Sequence, residues 1–108
     1  MEPIKPDVRD VIARYVANLR ALGVCPTRVL LFGSHARGTA GPYSDIDLLV
    51  VSPDFDRIPP PEHPKLLAKA NWDLFAPIQT LWTTPAALEA ASPASFLREV
   101  VRTGVDVA

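Results

Sequence analysis

The segment 43–51 constrains the fold of this chain more than any other, because two aspartates lead into an uninterrupted apolar run. The Leu-Leu-Val-Val sequence at 48–51 is apolar and partly β-branched, which predicts a strand. A strand without polar positions is buried on both faces, so we expect it to be central in its sheet. Side chains alternate along a strand, so Asp45 and Asp47 would point the same way, with Cα atoms about 7 Å apart.

A glycine-serine pair stands at the end of a second apolar run. Residues 28–32 read Arg-Val-Leu-Leu-Phe, which predicts another strand, and Gly33 allows a sharp turn after it. Ser34 can open a short helix, whose first N–H groups lack partners and favour an anion. Arg37, about one turn later, would add positive charge. Taken alone, Gly-Ser is more often an ordinary helix cap after a turn.

The two aspartates are candidate metal ligands. Aspartate is depleted in strands, and carboxylates on one face repel each other unless a cation lies between them. Mg²⁺ prefers hard oxygen ligands and is usually held by one or two carboxylates together with substrate phosphates. Asp45 and Asp47 meet that requirement. The alternative interpretation is a polar, solvated strand entrance.

The rest of the chain alternates helical and strand patterns. The predicted elements are a helix over about 7–22, a weak helix over about 65–74, a strand over about 77–83, a helix starting at Thr84-Pro85, and a last helix that ends at Gly104. This order predicts an α/β fold, with helices packed on a small mixed three-stranded sheet, in a single domain over 1–108.

Four features away from the motifs carry weaker predictions. The segment 53–64 contains five prolines, so we expect no regular structure there, only a surface crossover or a lip over the site. His63 within it is predicted to be solvated. Cys25 is predicted to be a buried thiol. Trp72 and Trp82 are expected to be packed, and either would be a candidate interface anchor if exposed.

Composition limits the classes of partner. The net charge of −1 argues against broad binding of duplex nucleic acid, which needs a basic face. The sequence contains no apolar stretch near the roughly 20 residues of a membrane span and no signal peptide, so the cytoplasm is the expected compartment. The oligomeric state is open, with a homodimer and a hetero-oligomer as the alternatives.

The motifs together resemble a known family. Gly-Ser-His-Ala-Arg-Gly from Gly33, ten residues between Ser34 and Asp45, and then Asp45-x-Asp47 resemble the signature of the DNA polymerase β-like nucleotidyltransferase superfamily. The local sequence around these motifs is similar to that of the stand-alone minimal nucleotidyltransferases of this superfamily. Many of those proteins are antitoxins encoded beside HEPN-domain toxins. The specific match covers about 29–51, and a weaker one continues through the strand near 78–84 and the last helix.

The resemblance implies a role for each motif. Gly33 and Ser34, with Arg37, would bind the phosphates of a nucleoside triphosphate, and Asp45 and Asp47 would be catalytic and hold Mg²⁺. The implied reaction transfers a nucleoside monophosphate, AMP from ATP, to a hydroxyl on a partner HEPN toxin and silences it. Tyrosine is the acceptor with precedent in the family.

One position departs from the family pattern. Active members carry a third acidic residue on the next strand, and counting back from Thr84-Pro85 places that position at Gln79. Glutamine can offer a metal its amide oxygen but has no charge and cannot act as a base. Asp73 is the substitute if the register differs. Two alternatives to a protein-modifying enzyme stay open: an antitoxin that acts by binding alone, and an enzyme acting on a small molecule.

Overall fold

The computed structural model describes residues 4–107 as an α/β fold, which confirms the predicted class. In chain order the elements are α1 Pro6–Ala21, β1 Arg28–Phe32, α2 Ser34–Arg37, β2 Ile46–Val51, a 3₁₀ helix Pro53–Asp56, α3 Glu62–Asn71, β3 Ile78–Thr83, α4 Pro85–Ala90, α5 Phe96–Thr103 and β4 Val105–Asp106. No helix among the described residues is long and apolar enough to cross a membrane.

The sheet has four strands in the order β3-β2-β1-β4, rather than the three predicted. β2 is central, as expected: it runs antiparallel to β1 and parallel to β3. The additional strand, β4, pairs antiparallel with β1 through Leu30 and Leu31. It comprises only two residues, which is too short to leave an alternating pattern in the sequence.

Strand alternation divides the apolar residues of β2 between two cores. Ile46, Leu48 and Val50 pack in the larger core, with buried residues of α1 and α3. Leu49 and Val51 face the opposite way, where they form a smaller core with Val100 of α5. Both faces of β2 are therefore covered, and only the end at which the strand begins opens toward the site.

The proline-rich segment is ordered secondary structure, so the prediction for 53–64 was wrong. The buried hydroxyl of Ser52 accepts the N–H of Asp54 and caps the 3₁₀ helix. Further on, Pro64 lies in the first turn of α3. Proline is tolerated there because N–H groups of a first turn have no intrahelical acceptor.

His63 is a structural residue, and not the solvated loop histidine that was predicted. Its Nε2–H donates to the carbonyl oxygens of Phe55 (3.0 Å) and Ile58 (2.8 Å). Its Nδ1 accepts the indole N–H of Trp82 at 3.0 Å. This pattern assigns the neutral tautomer with the proton on Nε2. The imidazole thereby joins the 3₁₀ helix, the following loop and β3.

Three other side chains are more exposed than predicted. Cys25 is exposed, and its backbone N–H donates to the carboxylate of Asp54 at 2.7 Å. Trp72 is 83% exposed just after α3, close in sequence to the equally open Phe75. Trp82 is 36% exposed at the edge of the sheet. The expectation of a buried thiol and a packed Trp72 was therefore wrong.

Replacing His63 by alanine is expected to lower the free energy of unfolding by about 1–3 kcal/mol, because the indole N–H and two carbonyl groups lose their partner. The matched control is Lys65→Ala on the same helix, whose ion pair with Glu62 is exposed and contributes little. Urea unfolding followed by tryptophan fluorescence measures both. Equal losses in the two variants would contradict the assigned role of His63.

Candidate active site

The strand register places two of the predicted site residues, Asp47 and Gln79, in one row across the sheet. Asp47 of β2 lies opposite Phe32 on β1 and opposite Gln79 on β3. Paired residues on adjacent strands point to the same face, with backbones about 4.8 Å apart. The register derived by counting back from Thr84 is thus the observed one, and Gln79 stands directly beside Asp47.

This row forms the floor of an open cleft of about 360 Å³. Asp45, Asp47 and Gln79 provide its polar wall. Asp45 precedes β2, which begins at Ile46 and not at 43 as predicted, yet its carboxylate lines the same cleft. Phe32 and Phe96 form the apolar side, with ring centroids 5.8 Å apart in an edge-to-face arrangement.

Gly33 brings the turn after β1 against the carboxylate. Its φ of +74° lies in the region that side chains disfavour. A Cβ added there would overlap Oδ2 of Asp47 and lie 3.1 Å from its Cγ. Only glycine satisfies both the turn and this close approach.

The first turn of α2, next to the contact between Gly33 and Asp47, presents backbone N–H groups that have no intrahelical acceptor. The first helical hydrogen bond runs from Arg37 N–H to Gly33 O at 3.1 Å, so the amides of Ser34, His35 and Ala36 precede any intrahelical acceptor. Within residues 4–107 no hydrogen bond engages the Ser34 hydroxyl. The turn therefore combines free donors with the positive charge of Arg37, an arrangement that favours an anion.

Asp47 is electrostatically unfavourable in the folded chain. Partial burial raises the pKa of its carboxyl, and the negative charge of Asp45 raises that pKa further. His35 and Arg37 act in the opposite direction without cancelling these effects. A cation between the two carboxylates would relieve their repulsion.

The donor chemistry fits Mg²⁺. Asp45 and Asp47 offer carboxylate oxygens and Gln79 an amide oxygen, which are the hard donors that this ion prefers. Among the described residues, no three His, Cys, Asp or Glu side chains are grouped as a metal site. Among the described residues that line the cleft, Gln79 is the candidate third ligand, and its amide oxygen is neutral.

His35 and the proposed substitute acid Asp73 both lie outside the polar wall. Nε2 of His35 is 3.3 Å from the carbonyl oxygen of Ser44, and this contact ties α2 to the loop that precedes Asp45. Asp73 accepts a hydrogen bond from Asn18 at 3.1 Å and lines a separate groove, so it is not the substitute acid.

Sequence reasoning missed the apolar side of the cleft. Phe96 has the spacing of the apolar packing face of the last helix, but its side chain is 60% exposed at the first position of α5. Its helical spacing gives no indication of this, because the contact with Phe32 is long-range.

Asp47→Asn is expected to raise the free energy of unfolding at neutral pH without Mg²⁺. Because the pKa of Asp47 is higher in the folded state than in the unfolded state, the ionised carboxylate destabilises the folded state. This destabilisation is complete above the raised pKa of the folded state, and it disappears as the pH falls toward the ordinary pKa of an unfolded aspartate. The difference between variant and wild type should shrink over the same range. Chemical denaturation at a series of pH values measures it.

Asp54→Asn is the matched control of opposite sign. The Arg57 side chain, followed by the backbone N–H of Cys25, holds the pKa of Asp54 below its usual value. The ionised Asp54 carboxylate therefore stabilises the folded state above the ordinary pKa of aspartate, and this stabilisation is lost as the pH falls through the lowered pKa of Asp54. The control should therefore be less stable than wild type at neutral pH. A loss of stability in Asp47→Asn as well would contradict the electrostatic account.

Comparisons with known proteins identify the family and the fold. A family model described as nucleotidyltransferase domain matches residues 12–102, which is most of the chain. No curated protein matches the sequence. One solved structure, described as "Crystal structure of the toxin-antitoxin with AMP-PNP", contains a similar chain with 24% identity and a TM-score of 0.63. The alignment covers 93% of this chain and 72% of that one, and at this identity it shows a shared fold.

Proposed function

The chain belongs to the nucleotidyltransferase domain family, and from that premise we propose that it transfers AMP from ATP to a hydroxyl on a partner protein, with Mg²⁺ as cofactor. The proposal rests on the close approach of the Gly33 backbone to the Asp47 carboxylate near the start of β2. A donor-rich turn against paired carboxylates is suited to a metal-bound triphosphate.

The turn at the start of α2 would receive the phosphates. The amides that precede the first helical bond and the Ser34 hydroxyl can donate to phosphate oxygens. Arg37 would add charge-assisted hydrogen bonds. The fold match to a structure described as containing AMP-PNP, an ATP analogue, supports an adenine nucleotide.

The carboxylates would hold the metal. Asp45 and Asp47 would ligate Mg²⁺, with Gln79 as a neutral third donor. When bound, the ion supplies charge neutralisation on the phosphates. The chain itself contributes positioning, and the Phe32–Phe96 wall would exclude water from one side of the cleft.

We further propose that the partner is a HEPN-domain toxin, which makes this chain a minimal nucleotidyltransferase antitoxin of the cytoplasm. The motif resemblance supports this assignment, as does the fold match to a structure described as a toxin–antitoxin. Trp72 and Phe75, both large and exposed, offer aromatic anchors for a protein partner. A small-molecule acceptor has no comparable support.

Incubation with α-labelled ATP, Mg²⁺ and the purified product of the neighbouring gene should label that protein. Asp45→Asn should abolish labelling, because a metal ligand is lost, whereas the exposed Asp10→Asn on α1 should leave it unchanged. Labelled protein on a gel and the mass increase of one AMP are the measurements. Absence of transfer under conditions in which an active relative works would reject the enzymatic proposal.

A second candidate function is neutralisation by binding alone. It is favoured by the position of Gln79, which stands beside Asp47 where active relatives carry an acid. A neutral amide cannot accept the proton of an attacking hydroxyl. The chain would then bind nucleotide, metal and toxin without transferring AMP.

Gln79→Glu separates the two candidates. A base at this position should increase the rate of transfer by about 10²–10⁴-fold. The control is Gln79→Asn, which is neutral and should give no increase. If the Gln79→Glu variant labels the partner protein and the wild type does not, the binding function is established. Loss of neutralisation in Asp45→Ala with an intact toxin complex would instead establish catalysis.

A further inference from the structure

The outer edge of β3 has no neighbouring strand among residues 4–107. β3 is six residues long and forms one end of the strand order. Ile46 N–H donates to Pro77 O (2.8 Å) and Ser52 N–H to Thr83 O (3.0 Å), so the odd-numbered residues bond to β2. The even-numbered residues then direct their backbone groups outward. The Ile78 N–H already donates to the Ala76 carbonyl oxygen (2.9 Å), so the Ile78 carbonyl and both backbone groups of Thr80 and Trp82 are the ones that a further strand can pair with. In the described part of the chain no strand pairs with this edge.

The two edges of the sheet are protected to different degrees. At the opposite edge β4 has only two residues, and the ion pair of Arg28 with Asp106 (3.3 Å) lies across it. β3 has no charged residue and no proline from Ile78 to Thr83. Leu81 and Trp82 are 37% and 36% exposed there. Soluble proteins normally block such edges with charge, proline or a short strand.

We propose that β3 pairs antiparallel with β3 of a second copy of this chain, about a two-fold axis at Thr80. The outward backbone groups of the even-numbered residues restrict the register, because hydrogen-bonded antiparallel positions must both face the seam. Among the two-fold registers that meet this condition, the one centred on Thr80 pairs all three outward-facing residues of β3. Thr80 then pairs with Thr80 of the second copy. The two four-stranded sheets become one continuous eight-stranded sheet.

The edge is complementary to itself in this register. Ile78 lies opposite Trp82 of the second copy, a β-branched and aromatic pair, and threonine lies opposite threonine at the axis. On the other face Gln79 lies opposite Leu81. No like charges meet at the seam, since the strand is uncharged. This self-complementarity favours a second copy over an unrelated strand as the occupant.

The pairing would bring the two clefts together. A two-fold axis perpendicular to the sheet keeps both carboxylate faces on the same side. Three strand spacings and a two-residue offset put the two Asp47 positions roughly 15 Å apart. Leu81 of the second copy then lies beside Gln79 and extends the apolar rim of the cleft. The second copy would therefore contribute one residue to the rim of each cleft.

Cysteine cross-linking tests the register directly. In a Cys25→Ser background, Thr80→Cys should give a covalent dimer, because hydrogen-bonded antiparallel partners have Cα atoms about 5.5 Å apart, within the range for a disulfide. Leu81→Cys alone should not, but a mixture of Gln79→Cys and Leu81→Cys chains should cross-link as a heterodimer. The wild type, with its exposed Cys25, controls for random oxidation.

Size-exclusion chromatography with light scattering over a dilution series tests the assembly without cross-links. Wild type should be a dimer. Thr80→Lys should be a folded monomer, because two ammonium groups would meet at the axis. Thr80→Val should remain a dimer, which controls for the lost hydrogen bond between Thr80 and Tyr15 (2.8 Å). A monomeric wild type without Thr80→Cys cross-linking would overturn the proposal, as would cross-linking through Leu81→Cys alone.

Discussion

The burial of β2 on both faces is the constraint on which the rest of the structure depends. Alternation divides its apolar side chains between two cores, so the chain must supply helices to both sides of the sheet. An ionised side chain inside either core would cost several kcal/mol. Carboxylates on this strand are therefore confined to its open beginning, and the site lies where the core stops.

The site is held together against its own electrostatics. Asp47 is kept near Asp45 although burial and that second charge both raise its pKa. The packing of the strand behind it supplies the free energy that holds the carboxylate in place. Gly33 adds a second constraint, because the absence of a Cβ lets the turn after β1 come close to Oδ2 of Asp47. Such a site is poorly satisfied by the chain alone and is suited to a cation with a bound anion.

The predictable parts of this molecule are those with local signals. Continuous apolar runs identified β1 and β2, and the cap Thr84 fixed the register that places Gln79 beside Asp47. The segment 53–64 was misjudged because the rule against proline applies to helix interiors and not to a first turn. The two-residue β4, the exposed Trp72 and the apolar wall of the cleft depend on long-range packing, which periodicity does not report.

Gln79 has an electrostatic consequence apart from catalysis. A carboxylate there would be the third in one cleft and would stand about one strand spacing from Asp47, whose pKa is already raised. The neutral amide keeps an oxygen donor in the row while limiting the repulsion that the fold must overcome without metal. It also leaves β3 without a charged side chain, so that the proposed pairing with β3 of a second copy brings no like charges together. The neutral side chain at this position therefore favours a more stable metal-free site and the proposed pairing of the β3 edge.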